Sequence, residues 1–114
     1  MLKRQEAIDF CLTFKDSLED YPFNDTNWTI MRHKLNKKMF AAIYEHKGKI
    51  WINVKCDPSL SELLRNAYTS VVPAYHMNKR HWNSIILDGS VPDEEIKNMI
   101  SDSFNLIKPK KAIG

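Results

Sequence analysis

The chain has 114 residues, 43% of them apolar and 27% charged, with five Phe, four Tyr and three Trp. That length suits one hydrophobic core, and the bulky residues exclude a disordered polymer, whose segments lack the groups that offset ordering entropy. The net charge of +3 is unevenly spread: residues 1–27 hold three Lys/Arg against six Asp/Glu, residues 28–87 ten against three, and residues 88–114 four against five.

The N-terminal stretch Met1 to Glu6 has two basic residues, but Glu6 and Asp9 interrupt any apolar run after them. A secretory leader is therefore not expected. No segment approaches the roughly 18 apolar residues that cross a bilayer, so no membrane partner is expected either. Residues 4–18 read as an amphipathic helix, with Phe10, Phe14 and Leu18 at four-residue steps and Ala7 and Cys11 on the same side. Cys11 falls on that apolar face, and it stands far from Cys56 without a CxxC spacing. Reduced thiols in a cytoplasmic protein are the expectation.

Asp20 to Asn27, with Pro22 and several Asn/Asp, reads as a connector. Three strand-like runs follow: Trp28–His33, Met39–His46, and Ile50–Lys55, in which Ile50, Ile52 and Val54 share one face. Polar turns near Asn36-Lys37 and at His46-Lys47-Gly48-Lys49 predict an antiparallel meander. Asp57-Pro58 is a helix start, because a carboxylate accepts from the free first-turn amides and proline at the first position needs no amide proton. Leu60, Leu63, Leu64 and Ala67 are expected to form that helix's buried stripe. Tyr75–Met77 and Trp82–Leu87 read as two further strands about a turn at Asn78-Lys79-Arg80. A last helix follows Ser90-Val91-Pro92-Asp93, with acidic residues at its dipole-positive end and Ile96, Met99, Ile100, Phe104 and Ile107 at helical spacing. A basic tail over 108–114 is expected to fray. The result is a single domain over residues 1–114 of the α+β class. It is a two-layer sandwich in the order α-β(3)-α-β(2)-α, with a mainly antiparallel sheet and the helices on one face.

The string Tyr75-His76-Met77-Asn78-Lys79-Arg80-His81-Trp82-Asn83, followed by Leu87-Asp88-Gly89-Ser90-Val91-Pro92-Asp93-Glu94, resembles the MmcQ/YjbR family of small bacterial proteins. Tyr21-Pro22-Phe23, Lys38-Met39-Phe40-Ala41 and Val54-Lys55-Cys56-Asp57-Pro58 match the same family in the same order, so the resemblance spans roughly residues 4–107. Ala74 departs from it, where the family often has glycine. The resemblance implies the same element order, similar to secretion-chaperone-like folds. It also implies a DNA-binding protein with a basic wing-like region, and brings no catalytic residues.

Three classes of function can be weighed on the residues themselves. For nucleic-acid binding, the candidate tip is His76, Lys79, Arg80, His81 and Trp82, because phosphates call for cations and exposed bases for flat groups. Lys37, Lys38, Lys47 and Lys49, at the two hairpin turns, are candidate phosphate contacts, as is Lys34 nearby. Lysines at turns also serve solubility and edge protection, and Trp82 has an alternative place in the core. For protein interaction, the sheet face opposite the helices would carry Phe40, Tyr44 and Trp51 and dock an adaptor's partner. For an enzyme, Cys56, His76, Asp88 and Ser90 supply reactive groups, but only Gly48, Gly89 and Gly114 are glycine, with no glycine-rich elbow or phosphate loop. No catalytic residue is expected. His76 and His81, with Cys56 and Asp57, lack the paired short spacing of a zinc site, so neither metal nor cofactor is expected.

Overall fold

The computed structural model describes residues 1–110. Its elements are α1 (Arg4–Leu12), β1 (Ser17–Asp20), β2 (Thr29–His33), β3 (Met39–His46), β4 (Lys49–Lys55), α2 (Pro58–Ala67), β5 (Val71–Pro73), β6 (Trp82–Ile86) and α3 (Asp93–Ile107). The six strands form one antiparallel sheet in the order β1-β2-β3-β4-β6-β5. This is the α+β class and the two-layer arrangement expected from the sequence, with one strand more. Among the described residues no helix is long and apolar enough to cross a membrane.

The core lies between one sheet face and the helices. Met31, Ile43, Ile52, Val54, Val71 and Ile85 from the sheet meet Ala7, Ile8 and Cys11 of α1 and Ile96, Met99, Ile100, Phe104 and Ile107 of α3. Burial of the Cys11 thiol in this layer pushes its pKa up to about 12, which keeps it protonated and inert. The N-terminus of α2 is capped as its residues require: the Ser59 amide donates to Asp57 Oδ1 at 2.9 Å, and Pro58 occupies the first turn. The β3–β4 hairpin turns through Lys47 (φ 52°) and Gly48 (φ 75°), the two left-handed residues that a tight two-residue turn needs.

Four local expectations are corrected. The helix predicted over 4–18 ends at Leu12: the Thr13 hydroxyl donates to the Phe10 carbonyl, Asp16 turns left-handed, and Ser17–Asp20 becomes edge strand β1 paired with β2. Phe10 and Phe14 still pack on the core, so the four-residue spacing held through a turn as well as through a helix, while Leu18 moves onto the sheet. Tyr75–Met77 is not a strand; β5 is the short Val71–Pro73, and residues 74–81 form a loop.

On α2, Leu60 (44% exposed), Leu63 (62% exposed) and Ala67 face solvent, and Leu64 is half-buried beside the core. The helix turns its Ser61 and Arg65 side inward instead, because Asn83 of β6 draws hydrogen bonds from Arg65 Nε (2.7 Å) and donates to the Ser61 carbonyl (3.3 Å). Finally, Phe40 lies on the helix side with Phe14 and Phe104, not on the opposite face. The β2–β3 register skips from Met31↔Ala41 to Arg32↔Met39, a bulge that leaves Phe40 and Ala41 both in the core. The expected fraying of the basic tail concerns residues 108–114, of which 111–114 lie outside the described residues.

Candidate functional site on the open face of the sheet

The sheet face away from the helices carries Trp28, Ile30 and Arg32 of β2 and its lead-in, Ala42, Tyr44 and His46 of β3, and Trp51 and Asn53 of β4. Strict alternation along each strand places them there, because residues two apart share a face. Tyr44 and Trp51 thus lie on the face where the sequence placed them, but Tyr44 is buried at 1% exposure, so the exposed aromatic docking patch expected there is not formed. The aromatic rings form a connected cluster: Trp28 stacks on Tyr44 at 4.1 Å, and Tyr75 lies 4.4 Å from His46 and 5.8 Å from Tyr44.

Tyr75 arrives from the β5–β6 loop, which folds back over the sheet and is fastened by a buried polar network. The Tyr44 hydroxyl donates to Asn53 Oδ1 at 2.8 Å, and Asn53 Nδ2 donates to the Tyr75 carbonyl at 2.8 Å. The Tyr75 amide donates to Ser84 Oγ at 2.9 Å. Every member has a partner, which makes the network rigid. Burial raises the Tyr44 phenol to about 12, so it stays a neutral donor at physiological pH. Held this way, the loop forces His76 into the left-handed region (φ 59°), a conformation that costs about 1 kcal/mol or more for a residue other than glycine.

A pocket of about 360 Å³ opens beside that loop, lined by Phe23, Asp25, Trp28, Ile30, Met39, Ala42, His76 and Met77. Its volume lies within the ~300–1,000 Å³ usual for ligand sites. Four chain segments converge on it: the β1–β2 connector, β2, the start of β3, and the β5–β6 loop. Among the described residues Asp25 is its one charged lining residue, and the carboxylate accepts the Asn27 amide at 2.9 Å. Asn27 itself is fixed by Arg4, whose Nη2 donates to it at 2.7 Å, and by both backbone groups of Glu45 at 2.9 Å. The connector that seemed a plain turn therefore sets one wall of the pocket.

The sequence-nominated residues divide around this geometry. Of the nominated residues only His76 lines the pocket; Lys38 and Lys79 stand one and two residues along the chain from its lining residues Met39 and Met77, and neither they nor Lys37 and Arg80 line it. Lys37 takes the left-handed turn position (φ 62°), and Lys79 Nζ donates to the Ala74 carbonyl at 3.1 Å. His76 is part of the wall, whereas His81 ends the loop and Trp82 begins β6 opposite Lys55. Lys47 and Lys49 sit at the other end of the sheet, because the β3–β4 turn and the β5–β6 loop leave from opposite ends of antiparallel strands.

The chemistry-bearing residues assembled on paper do not meet. Asp88 and Ser90 follow β6 at the end away from Cys56, and His76 is on the other face from the buried Cys56 thiol, which burial raises. Asp88 instead accepts from the Ser70 and Ser90 hydroxyls and the Ser90 amide, and these donors lower its pKa to about 2. Among the described residues, no group of three or more His, Cys, Asp or Glu is placed to hold a metal ion. Sequence reasoning missed Phe23, Asp25, Trp28, Ile30, Met39, Ala42 and Met77 as pocket residues; the period-two run from Trp28 to Arg32 was the available signal.

A family model described as YjbR matches residues 12–106. The YyaQ protein of Bacillus subtilis, itself uncharacterised, is 36% identical over 119 residues, covering 95% of this chain and all of that one. The uncharacterised YjbR protein of Escherichia coli K12 is 33% identical over 110 residues, covering 93% and 91% of the two chains. Among solved structures, Deinococcus radiodurans DR2400 superposes with a TM-score of 0.86 at 30% identity, over 96% of this chain and 81% of that one. A crystal structure of a Pseudomonas syringae protein superposes with a TM-score of 0.84 at 31% identity, over 94% and 100%.

Proposed function

The chain belongs to the YjbR family, and from that premise we propose that it is a cytoplasmic, non-enzymatic nucleic-acid-binding protein that uses the open sheet face without a cofactor. One observation supports the reading: a cavity walled in part by Trp28 and His76 is lined by Met39 and Met77, which neighbour in the chain the basic Lys37-Lys38 turn and the basic Lys79-Arg80 loop. Cations around a flat, apolar floor are what a strand with unstacked bases requires: phosphates are neutralised at the rim and a base stacks inside. A single strand fits this better than a duplex, whose bases present only their edges.

A second reading is favoured by the composition of the same cavity. Phe23, Ile30, Met39 and Met77 would also accept an apolar side chain of a partner protein, and methionine adapts readily to irregular shapes. The two readings part on salt. Fluorescence anisotropy of labelled single-stranded and duplex DNA at several salt concentrations, with heparin as competitor, tests the first. Binding at about physiological salt, preference over heparin and a steep salt slope support nucleic acid. Binding lost at that salt, or heparin competing equally, would put the adaptor first, since any basic protein sticks weakly to polyanions.

A further inference from the structure

We infer that the pocket receives a guanine base, lying flat against Trp28 with its N1–H and N2–H edge on the Asp25 carboxylate. The inference rests on the nucleic-acid reading for the phosphates, and names what the cavity itself selects.

Three features narrow the ligand. The walls are apolar and partly aromatic: Trp28 is stacked against Tyr44 on one side at 4.1 Å, which leaves its other side for the cavity, and the His76 ring stands 6.3 Å away. A planar group with two apolar faces fits such walls. Lys38 and Lys79 stand one and two residues along the chain from the lining residues Met39 and Met77, so the nucleic-acid reading puts an anion outside the cavity. Asp25, the one charged lining residue among the described residues, is the opposite of what that anion wants, so its partner must be a donor on the planar group.

An ionised carboxylate only accepts, and it offers about four lone-pair positions. The Asn27 amide occupies one of these on Oδ1 at 2.9 Å, and the connector backbone is further held by the Trp28 amide on the Asp25 carbonyl. Asp25 thus lines the same cavity as Trp28, with acceptor capacity left on its carboxylate. Among the common bases, guanine alone has two adjacent N–H donors on its pairing edge. Adenine and cytosine would each turn a ring-nitrogen lone pair toward the carboxylate, and thymine or uracil would flank one donor with two carbonyl oxygens. These mismatches repel, so the carboxylate discriminates as well as attracts.

The test is anisotropy with short oligothymidine strands carrying one central thymine, adenine, guanine or inosine, together with guanosine and adenosine monophosphates titrated by the quenching of tryptophan fluorescence. The guanine strand is expected to bind about tenfold more tightly than the thymine strand, and inosine, which lacks the N2 amino group, to lose most of that gain. Asp25→Asn keeps an acceptor for the Asn27 amide while removing the carboxylate. It should abolish the guanine advantage, so that the guanine and thymine strands bind equally. Equal binding of all strands by the native protein would overturn the guanine assignment and leave the nucleic-acid reading standing. Selective binding of guanosine monophosphate with no strand bound would keep the assignment and reject the nucleic-acid reading, making the free nucleotide the ligand. No binding of either kind would reject both.

Discussion

Asn53 joins two strands and a loop through one side chain, accepting from Tyr44 and donating to the Tyr75 carbonyl beneath the aromatic cluster. Asn53→Ala would strand a buried hydroxyl and a carbonyl, so urea unfolding should show a loss of about 2–4 kcal/mol. The loop would loosen too, seen as faster hydrogen exchange at the Tyr75 amide. Asp88 gives a pH signature. Its pKa is lowered from 3.8 to about 2 by the Ser70 and Ser90 donors, so its contribution to stability is present above the unfolded value and is lost as pH falls through the folded one. Between about pH 4 and pH 2, the native protein should lose stability more steeply than Asp88→Asn in thermal melts. In the β5–β6 loop, exchanging Lys79 and Arg80 together for Glu should abolish DNA binding with the circular-dichroism melt essentially unchanged; unaltered affinity would remove that loop from the site.

At the scale of elements, α2 shows how an apolar stripe can mislead. Its leucines repeat at helical spacing, yet the helix is rotated so that Arg65 meets Asn83, and Leu63 is left in water. Leu63→Ala should therefore change stability by no more than about 0.5 kcal/mol. Ile100→Ala, in the fully buried stripe of α3, should cost about 2–5 kcal/mol in the same denaturant titration. The bulge at Phe40 is a second case: one extra residue in β3 moves a phenylalanine from the open face into the core and leaves Met39 at the pocket.

Across the whole molecule, charge separates by layer. The three helices hold seven Asp/Glu against three Lys/Arg, while the chain as a whole carries +3, so the positive excess lies on the sheet, its loops and the tail. A polyanion approaching the molecule is steered toward the sheet side. The two lysine groups are not equivalent there, because β4 separates them by six residue steps, about 20 Å at ~3.3 Å per residue. For a strand of about six nucleotides, removing Lys38 and Lys79 should lower the salt slope by about two, whereas removing Lys47 and Lys49 should leave it unchanged. A reduced slope in both variants would mean that the strand runs the length of the sheet.

The sequence by itself determined the class and layering of the fold. Period-two runs, turn residues and the Asp57-Pro58 start are local signals, and each acts within a few residues of where it is read. Lys37, Lys38, Lys79, Arg80 and His76 were nominated from charge and ring chemistry alone, and of these His76 lines the pocket. Tertiary structure decided the pocket, because Phe23, Trp28, Met39 and Met77 come from distant segments that only sheet pairing and the folded-back loop bring together. It also decided which apolar stripe is covered and which face Phe40 takes, since hydrogen bonding to Asn83 and a single register skip outweigh periodicity. Those are contacts between segments far apart in the chain, and no local pattern encodes them.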